Sequence, residues 1–285
     1  MVNEYERLLT TYAYNILGSY EEAKDVVQDA YLKFIEGDHS AVEDKKAYMV
    51  RSVINLSINR KNKLKRQRDL YPGAWLPEPI ATEQADAALY QEQILSYSLM
   101  VLLEKLNAKQ RAVFILKEAF GYDHAEIAGV LDISEEHSRK LLSRAREQLK
   151  STDIPTPGSE ARAYAERYLS VIQHADMKQL ERMLHDEVNL VSDGGGKVSA
   201  FRKAIMGKDA IGRLLIGVHK KFYANMKIRK TVINHEPAIC YFENGHLVSC
   251  QIFSLRGNDL VHIYFIRNPD KLKMLEKNLS ASVTF

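Results

Sequence analysis

The 285-residue sequence holds two cysteines, Cys240 and Cys250, a single tryptophan, Trp75, and seven prolines. Two thiols cannot build a disulfide framework, and their spacing does not suit a zinc site. The longest uncharged apolar runs are short, for example 99–103, far below the roughly 20 residues a membrane helix needs. The N-terminus lacks the basic, apolar, small-residue order of a secretory signal, so a soluble, cytoplasmic protein with no membrane attachment is expected. None of the nine histidines falls in an HExxH pattern or a closely spaced ligand pair, so no metal and no cofactor are expected. What is present is ordinary globular material: 46% hydrophobic and 27% charged residues, enough for more than one core and for two or three domains.

The formal net charge is only +3, but residues 45–68 carry nine cations and no acid, which leaves the remainder at −6. The nine are Lys45, Lys46, Arg51, Arg60, Lys61, Lys63, Lys65, Arg66 and Arg68. A basic segment in an otherwise acidic chain is an electrostatic footprint for a polyanion, most often nucleic acid; a solvated helix face is the plainer alternative.

Helical periodicity is clearest at the start. Tyr5, Leu8, Leu9, Tyr12, Ala13, Ile16 and Leu17 mark one buried face, and Gly18 ends that helix. Ser19 and Glu22 form a capping-box pair for a second helix, whose stripe is Ala23, Val26, Val27, Ala30, Tyr31, Phe34 and Ile35. Its other face carries Asp25, Gln28, Asp29 and Leu32. An apolar residue among acids on a helix with a complete core stripe points to a protein partner, although a lone exposed leucine is also common. After a polar loop, 37–44, a third helix is expected over 45–68. Along it Arg51, Asn55 and Asn59 repeat at four-residue steps beside the cationic tail, a row able to meet base edges as well as phosphates.

Pro72, Gly73, Pro77 and Pro79 interrupt the helices and predict a semi-rigid linker over about 69–83. Helix is expected again over about 84–105, then from Asn107 to Gly121. Asp123 with Glu126, a turn at Asp132 and Ile133, and Ser134 as the next cap predict a helix-turn-helix. Ser138, Leu142, Ala145 and Leu149 form the inner stripe of its second helix. Arg139, Lys140, Ser143, Arg144 and Arg146 lie on or beside the part that enters a major groove, whereas Glu135 and Glu136 would repel phosphate. An ordinary helical hairpin is the alternative. A second linker is expected at 151–158. Beyond it, helices are followed by alternating strands as far as Ile266 and a short helix from Pro269, an α+β order. An Asn244-Gly245 turn would join strands 239–242 and 247–253, setting Cys240 opposite Ser249 and Cys250 on the other face.

Residues 23–31, AKDVVQDAY, resemble region two of the extracytoplasmic-function sigma factors of bacterial RNA polymerase. Residues 47–56, AYMVRSVINL, are similar to their promoter-melting helix, and 122–149 to region four, which reads the minus-thirty-five element. The likeness extends to the subgroup with a fused SnoaL-like domain, carried by Trp75-Leu76-Pro77-Glu78-Pro79, Asp193-Gly194-Gly195-Gly196-Lys197 and Asn268-Pro269-Asp270-Lys271-Leu272. Lys24 and Leu141 depart from the family's usual acid and base.

The resemblance implies two all-α sigma domains, the second with the helix-turn-helix, and a cone-shaped α+β SnoaL-like domain with a curved antiparallel sheet. The boundaries would be 1–68, linker 69–83, 84–150, linker 151–158 and 159–285. It implies that Asp25, Gln28, Asp29 and Leu32 bind core polymerase, and that Arg51, Asn55, Asn59, Arg60, Lys61 and Lys63 meet the minus-ten element. The loop 37–46 would capture a flipped base, and the helix-turn-helix cations would meet the minus-thirty-five element. The three motifs would form an interdomain contact through which the tail regulates a chain that is monomeric when free. A small ligand in the cone, a ligand-sensing repressor and a SnoaL-type cyclase or isomerase are the competing expectations. For the enzyme, Asp193 and His185 are available, but nothing in the sequence pairs them.

Overall fold

The computed structural model describes residues 2–37, 42–83, 89–149 and 161–281. The chain divides into two units: 1–70, 86–95 and 100–153 form the first, and 71–85, 96–99 and 154–285 the second. The expected second linker, 151–158, and positions 38–41 of the capture loop lie outside the described residues.

The first unit is helical: α1 (Val2–Leu17), α2 (Tyr20–Glu36), α3 (Lys45–Arg68), the second half of a short α4 (Tyr97–Leu102), α5 (Ala108–Glu118), α6 (His124–Leu131) and α7 (Glu135–Leu149). α1 packs against α2, α3 and α5, so residues 9–17 are buried around the whole circumference and not along one stripe. Its polar members are satisfied from inside: Thr11 Oγ1 donates to Arg7 O at 2.8 Å and Asn15 Nδ2 to Gln93 O at 2.8 Å. Ser19 caps α2 by accepting from Glu22 N at 3.3 Å, while the Glu22 carboxylate binds Arg60. The α2 stripe is one residue shorter than expected. Phe34 fills the last place against the Tyr48 ring, 5.6 Å away, and Ile35, about 100° further round the helix, is 73% exposed.

The long helix expected over 84–105 is absent from its described part. Only a 3-10 turn at Gln91–Gln93, the six-residue α4 and another 3-10 turn at Leu103–Lys105 form. Asn15 takes the Gln93 carbonyl and the Leu95 N–H for itself, backbone groups that a continuous helix would pair internally. The helix-turn-helix follows the sequence closely. Asp123 and Glu126 make a reciprocal capping box, Asp132 is left-handed at φ 54°, and Ser134 Oγ accepts from His137 N at 3.1 Å. Leu141, with the inner stripe, is buried.

The second unit contains α8 (Ala161–Gln173), α9 (Met177–Met183), β1 (Leu184–Asp193), β2 (Ile205–Met206), α10 (Lys208–Val218), β3 (Lys227–Ile233), β4 (Glu236–Glu243), β5 (His246–Arg256), β6 (Asp259–Ile266) and α11 (Pro269–Ala281). The strand order is β2-β1-β6-β5-β4-β3. Helices before an antiparallel meander give the expected α+β architecture, with one difference: β1 and β6 run parallel, so the sheet is mixed. The chain crosses the sheet through α10, and the meander β3–β6 then closes on β1 in the same direction. Between the helices and the sheet the interior is filled by aromatic rings. Tyr223 stacks on Tyr241 at 4.2 Å, and Tyr168 lies 4.4 Å from Phe253.

The cysteine register also differs from expectation. A bulge near the Asn244-Gly245 turn pairs Phe242 with Leu247 but Tyr241 with Ser249, and this extra residue slides Cys240 directly opposite Cys250. Both thiols are free and buried, they touch one another, and burial pushes the Cys250 thiol well up. Native protein should therefore leave both thiols unmodified by an aromatic disulfide reagent, and denaturant should release two equivalents. Fast reaction in the native state would contradict this packing.

Candidate polymerase and promoter interface

On α2, the residues Asp25, Gln28, Asp29 and Leu32 are all exposed, Leu32 by 50%. Ile35 prolongs this face; its place seven residues after Gln28 and three after Leu32 was the available signal, hidden because Ile35 also fits the core stripe.

α3 divides its polar residues between surface and interior. Asn59 and Lys63 are exposed. Arg60 binds Glu22 and reaches Asp25 at 3.7 Å, and these acids hold its guanidinium above its ordinary value, Glu22 foremost. Lys61 is only 6% exposed, with its ammonium 3.1 Å from Glu104 Oε1, so it is not offered to a phosphate in this arrangement. Arg68 binds the same carboxylate at 2.7 Å, and Arg111, fully buried on α5, closes on it too while donating Nε to Asn15 O at 2.9 Å. Burial alone would raise the Glu104 carboxyl, but Arg111, Lys61 and Arg68 hold it down at about 2. Sequence reading missed this hub. Its trace was Arg111, a lone charge set among Ala112, Val113, Ile115 and Leu116.

The other end of α3 meets the helix-turn-helix. Asn55 Nδ2 donates to Arg51 O at 2.9 Å and to Val130 O at 2.8 Å, and Arg51 lies 3.9 Å from Asp132. Nearby, Tyr12 stacks on Phe120 at 4.0 Å and its hydroxyl is 3.0 Å from that of Tyr122. A cavity of about 700 Å³ beside these rings is lined by Asp44, Lys46, Tyr48 and Arg51 on one side and Tyr122 and Val130 on the other. The described end of the loop between α2 and α3 thus opens onto the helix-turn-helix.

On α7, Arg139, Lys140, Ser143, Arg144 and Arg146 are exposed. The acids expected to repel phosphate are paired on the same helix, Glu135 with Arg139 at 2.6 Å and Glu136 with Lys140 at 2.6 Å.

In the second unit the three motifs meet. Asp193, 1% exposed, accepts from Tyr71 OH at 2.5 Å, Leu76 N at 2.9 Å, Gly195 N at 3.0 Å and Lys271 Nζ at 2.6 Å. Asn268 Nδ2 donates to Tyr71 OH at 2.8 Å. The Lys271 ammonium also lies 4.1 Å from the centre of the Trp75 ring and donates to Leu76 O. Leu76, Pro77, Pro79 and Leu272 are buried, Glu78 is half-buried, and Pro269 is exposed. Lys197 pairs with Asp270. The glycine run has a steric cause: Gly196 sits at φ +70°, and a Cβ there would lie 2.5 Å from Pro72 Cγ. Residues expected to run as a linker are therefore bound along their length. Asp193 works as an acceptor for the backbone and Lys271, and His185 is not among its partners.

A Sigma-70 region 2 family model matches residues 1–67, and a Sigma-70, region 4 model matches 96–149. The ECF RNA polymerase sigma factor SigJ of Mycobacterium tuberculosis is 30% identical over 231 residues, covering 78% of this chain and 74% of that protein. The chain belongs to the ECF sigma factors of RNA polymerase. The probable ECF sigma factor SigI of the same organism is 22% identical over 278 residues, 95% of this chain and 93% of that one. A crystal structure of M. tuberculosis SigJ superposes with a TM-score of 0.77 at 25% identity, covering 95% of this sigma factor and 96% of that chain. The sigma factor is thus a transcription initiation factor and not an enzyme, a protein that binds core RNA polymerase and promoter DNA. Its tail has the expected α+β fold, helices with one sheet. Among the described residues no helix is long and apolar enough to cross a membrane.

Proposed function

We propose that this sigma factor docks on core polymerase through Asp25, Gln28, Asp29, Leu32 and Ile35. The minus-ten element is contacted by Arg51, Asn55, Asn59 and Lys63, and the minus-thirty-five element by Arg139, Lys140, Ser143, Arg144 and Arg146. Arg60 and Lys61 serve the interior until region 2 and region 4 part. The observation that carries the docking role is the α2 face, where Leu32 and Ile35 stand exposed beside acids although the core of that helix is complete. Asn55, held by Val130, supports a closed free form: the residue assigned to the melting element must leave α6 before it can meet DNA. Binding to polymerase supplies the free energy for that exchange. The tail regulates by gripping 71–82 and 96–99, and the free chain is a cytoplasmic monomer.

The test is run-off transcription with core polymerase, paired with co-elution of the two proteins. Promoter-specific transcripts are expected only when both proteins are present. Asn55→Ala should lower initiation about tenfold, the worth of one good base contact, while co-elution is unchanged. Equal loss of both would remove Asn55 from the promoter, and failure to co-elute would remove the docking face.

A further inference from the structure

The start of region 4 is seated in the second unit. Tyr97, fully buried, donates its hydroxyl to Pro77 O at 2.7 Å and its N–H to Asn234 O at 3.2 Å, with its ring 5.3 Å from that of Tyr264. Asn234 Oδ1 accepts from Ile80 N at 2.9 Å, so one turn residue between β3 and β4 binds both the linker and α4. At Ser98 the partner changes character. Its N–H donates to Glu236 Oε2 at 3.2 Å, and its hydroxyl lies 2.5 Å from Oε1. Glu236 is 2% exposed. A carboxyl group placed so deep, with serine donors and no cation paired to it among the described residues, is a costly choice for a strand end that packing alone would fill with an apolar side chain.

We propose that Glu236 is a positioning residue for region 4, holding the first turn of α4 to the SnoaL-like unit through Ser98. The assignment rests on the sigma-factor reading above only for what is positioned, since the contact itself is internal to one unit. Burial pushes the Glu236 carboxyl up to about 8, and the Ser98 bonds pull it only part of the way back. The groups around it are Ser98 on α4, Ser254 on β5 and the phenol of Tyr264 on β6, itself pushed well up by burial. Titratable residues on the flanking elements include His235 in the turn, His262 opposite Ser254, Glu78 in the linker, and Arg229 and Lys230 on β3. Because the seated carboxyl holds its proton up to about 8 and a free one only to about 4.5, the seated form binds more protons between those values. Its grip is therefore full below about 4.5, weakens as the pH rises to about 8, and is constant above.

Amide hydrogen exchange on the full-length protein without polymerase tests this. After correction for intrinsic exchange, the opening constant at Tyr97 and Ser98 should rise about tenfold per pH unit between 6 and 8, then level off. Glu236→Gln keeps the shape and the hydrogen bonds without the titration, and should remain protected with no pH dependence. Ser98→Ala should open these amides more at every pH. A flat wild-type profile, a Glu236→Gln profile that still rises with pH, or a Ser98→Ala protein indistinguishable from wild type would each overturn the proposal. Transcription and co-elution do not enter this measurement, so the sigma reading and the Glu236 assignment can fail separately.

Discussion

Replacing Glu104 with alanine should destabilise the first unit by roughly 3–5 kcal/mol, the range for breaking a buried ion-pair network from one side. The carboxylate is the common acceptor of Lys61, Arg68 and Arg111, and Arg111 has no exposed surface on which to find water in its place. Removal takes the shared carboxylate from three cations at once. The exposed pair Glu118–Arg146 is the control, because Glu118→Ala removes an interaction worth about 0–1 kcal/mol. Urea unfolding followed by helical circular dichroism measures both, and comparable losses would show that the Glu104 hub is dispensable. The pH dependence has a definite sign. Glu104 titrates at about 2 in the folded protein against an ordinary 4.5, so its contribution is complete above about 4.5 and lost as the pH falls towards 2. The linkage amounts to about 3 kcal/mol, of the same order as the substitution. Glu104→Gln should abolish most of that acid sensitivity.

The second large effect is expected at Asp193. Its alanine variant loses the acceptor for Tyr71, Leu76 and Gly195 and takes the carboxylate away from the Lys271 ammonium, 7% exposed. A loss of about 3–5 kcal/mol follows from breaking a buried pair from one side, and it falls on the grip that holds residues 71–80. The single tryptophan reports it directly. Trp75 emission should shift to the red, and limited proteolysis should cut within 71–82, a segment expected to stay uncut in the parent protein. Removing the surviving charge as well, in the double variant with Lys271→Met, should recover part of the loss. Unchanged emission from Asp193→Ala would mean that the linker is held elsewhere. In the run-off assay the same variant should alter transcript yield if the tail regulates through this grip.

Much of this architecture was legible in the residues, for reasons that are local. Ser19, Asn107, Asp123 and Ser134 cap helices by bonds within three residues, and the periodicity of α1 to α3 is a property of consecutive residues. What the sequence hid depends on partners far along the chain. The break before α4 is dictated by Asn15, about 80 residues earlier. The cysteine register turned on one extra residue near a turn, and a one-residue slip reverses every facing side chain. Lys61 read as a nucleic-acid contact because charge counting cannot see Glu104 across the unit. Glu236 carried no signal beyond being an isolated acid at the start of an apolar strand. The motif residues were the opposite case: 75–79, 193–197 and 268–272 could be picked out by resemblance, but the bonds from Asp193 to the other two segments could not.

The parallel pairing of β1 with β6 sets Asp193 beside Ile266 at the same end of neighbouring strands. Because both strands point the same way, the loop beginning at Gly194 and the turn at Asn268 leave the sheet together. Reversed polarity in either strand would have separated those exits by the length of an eight-residue strand, roughly 26 Å, beyond the span of any lysine. A choice of strand direction, made deep in the sheet, thus decides which chain segments can share a single carboxylate at its rim.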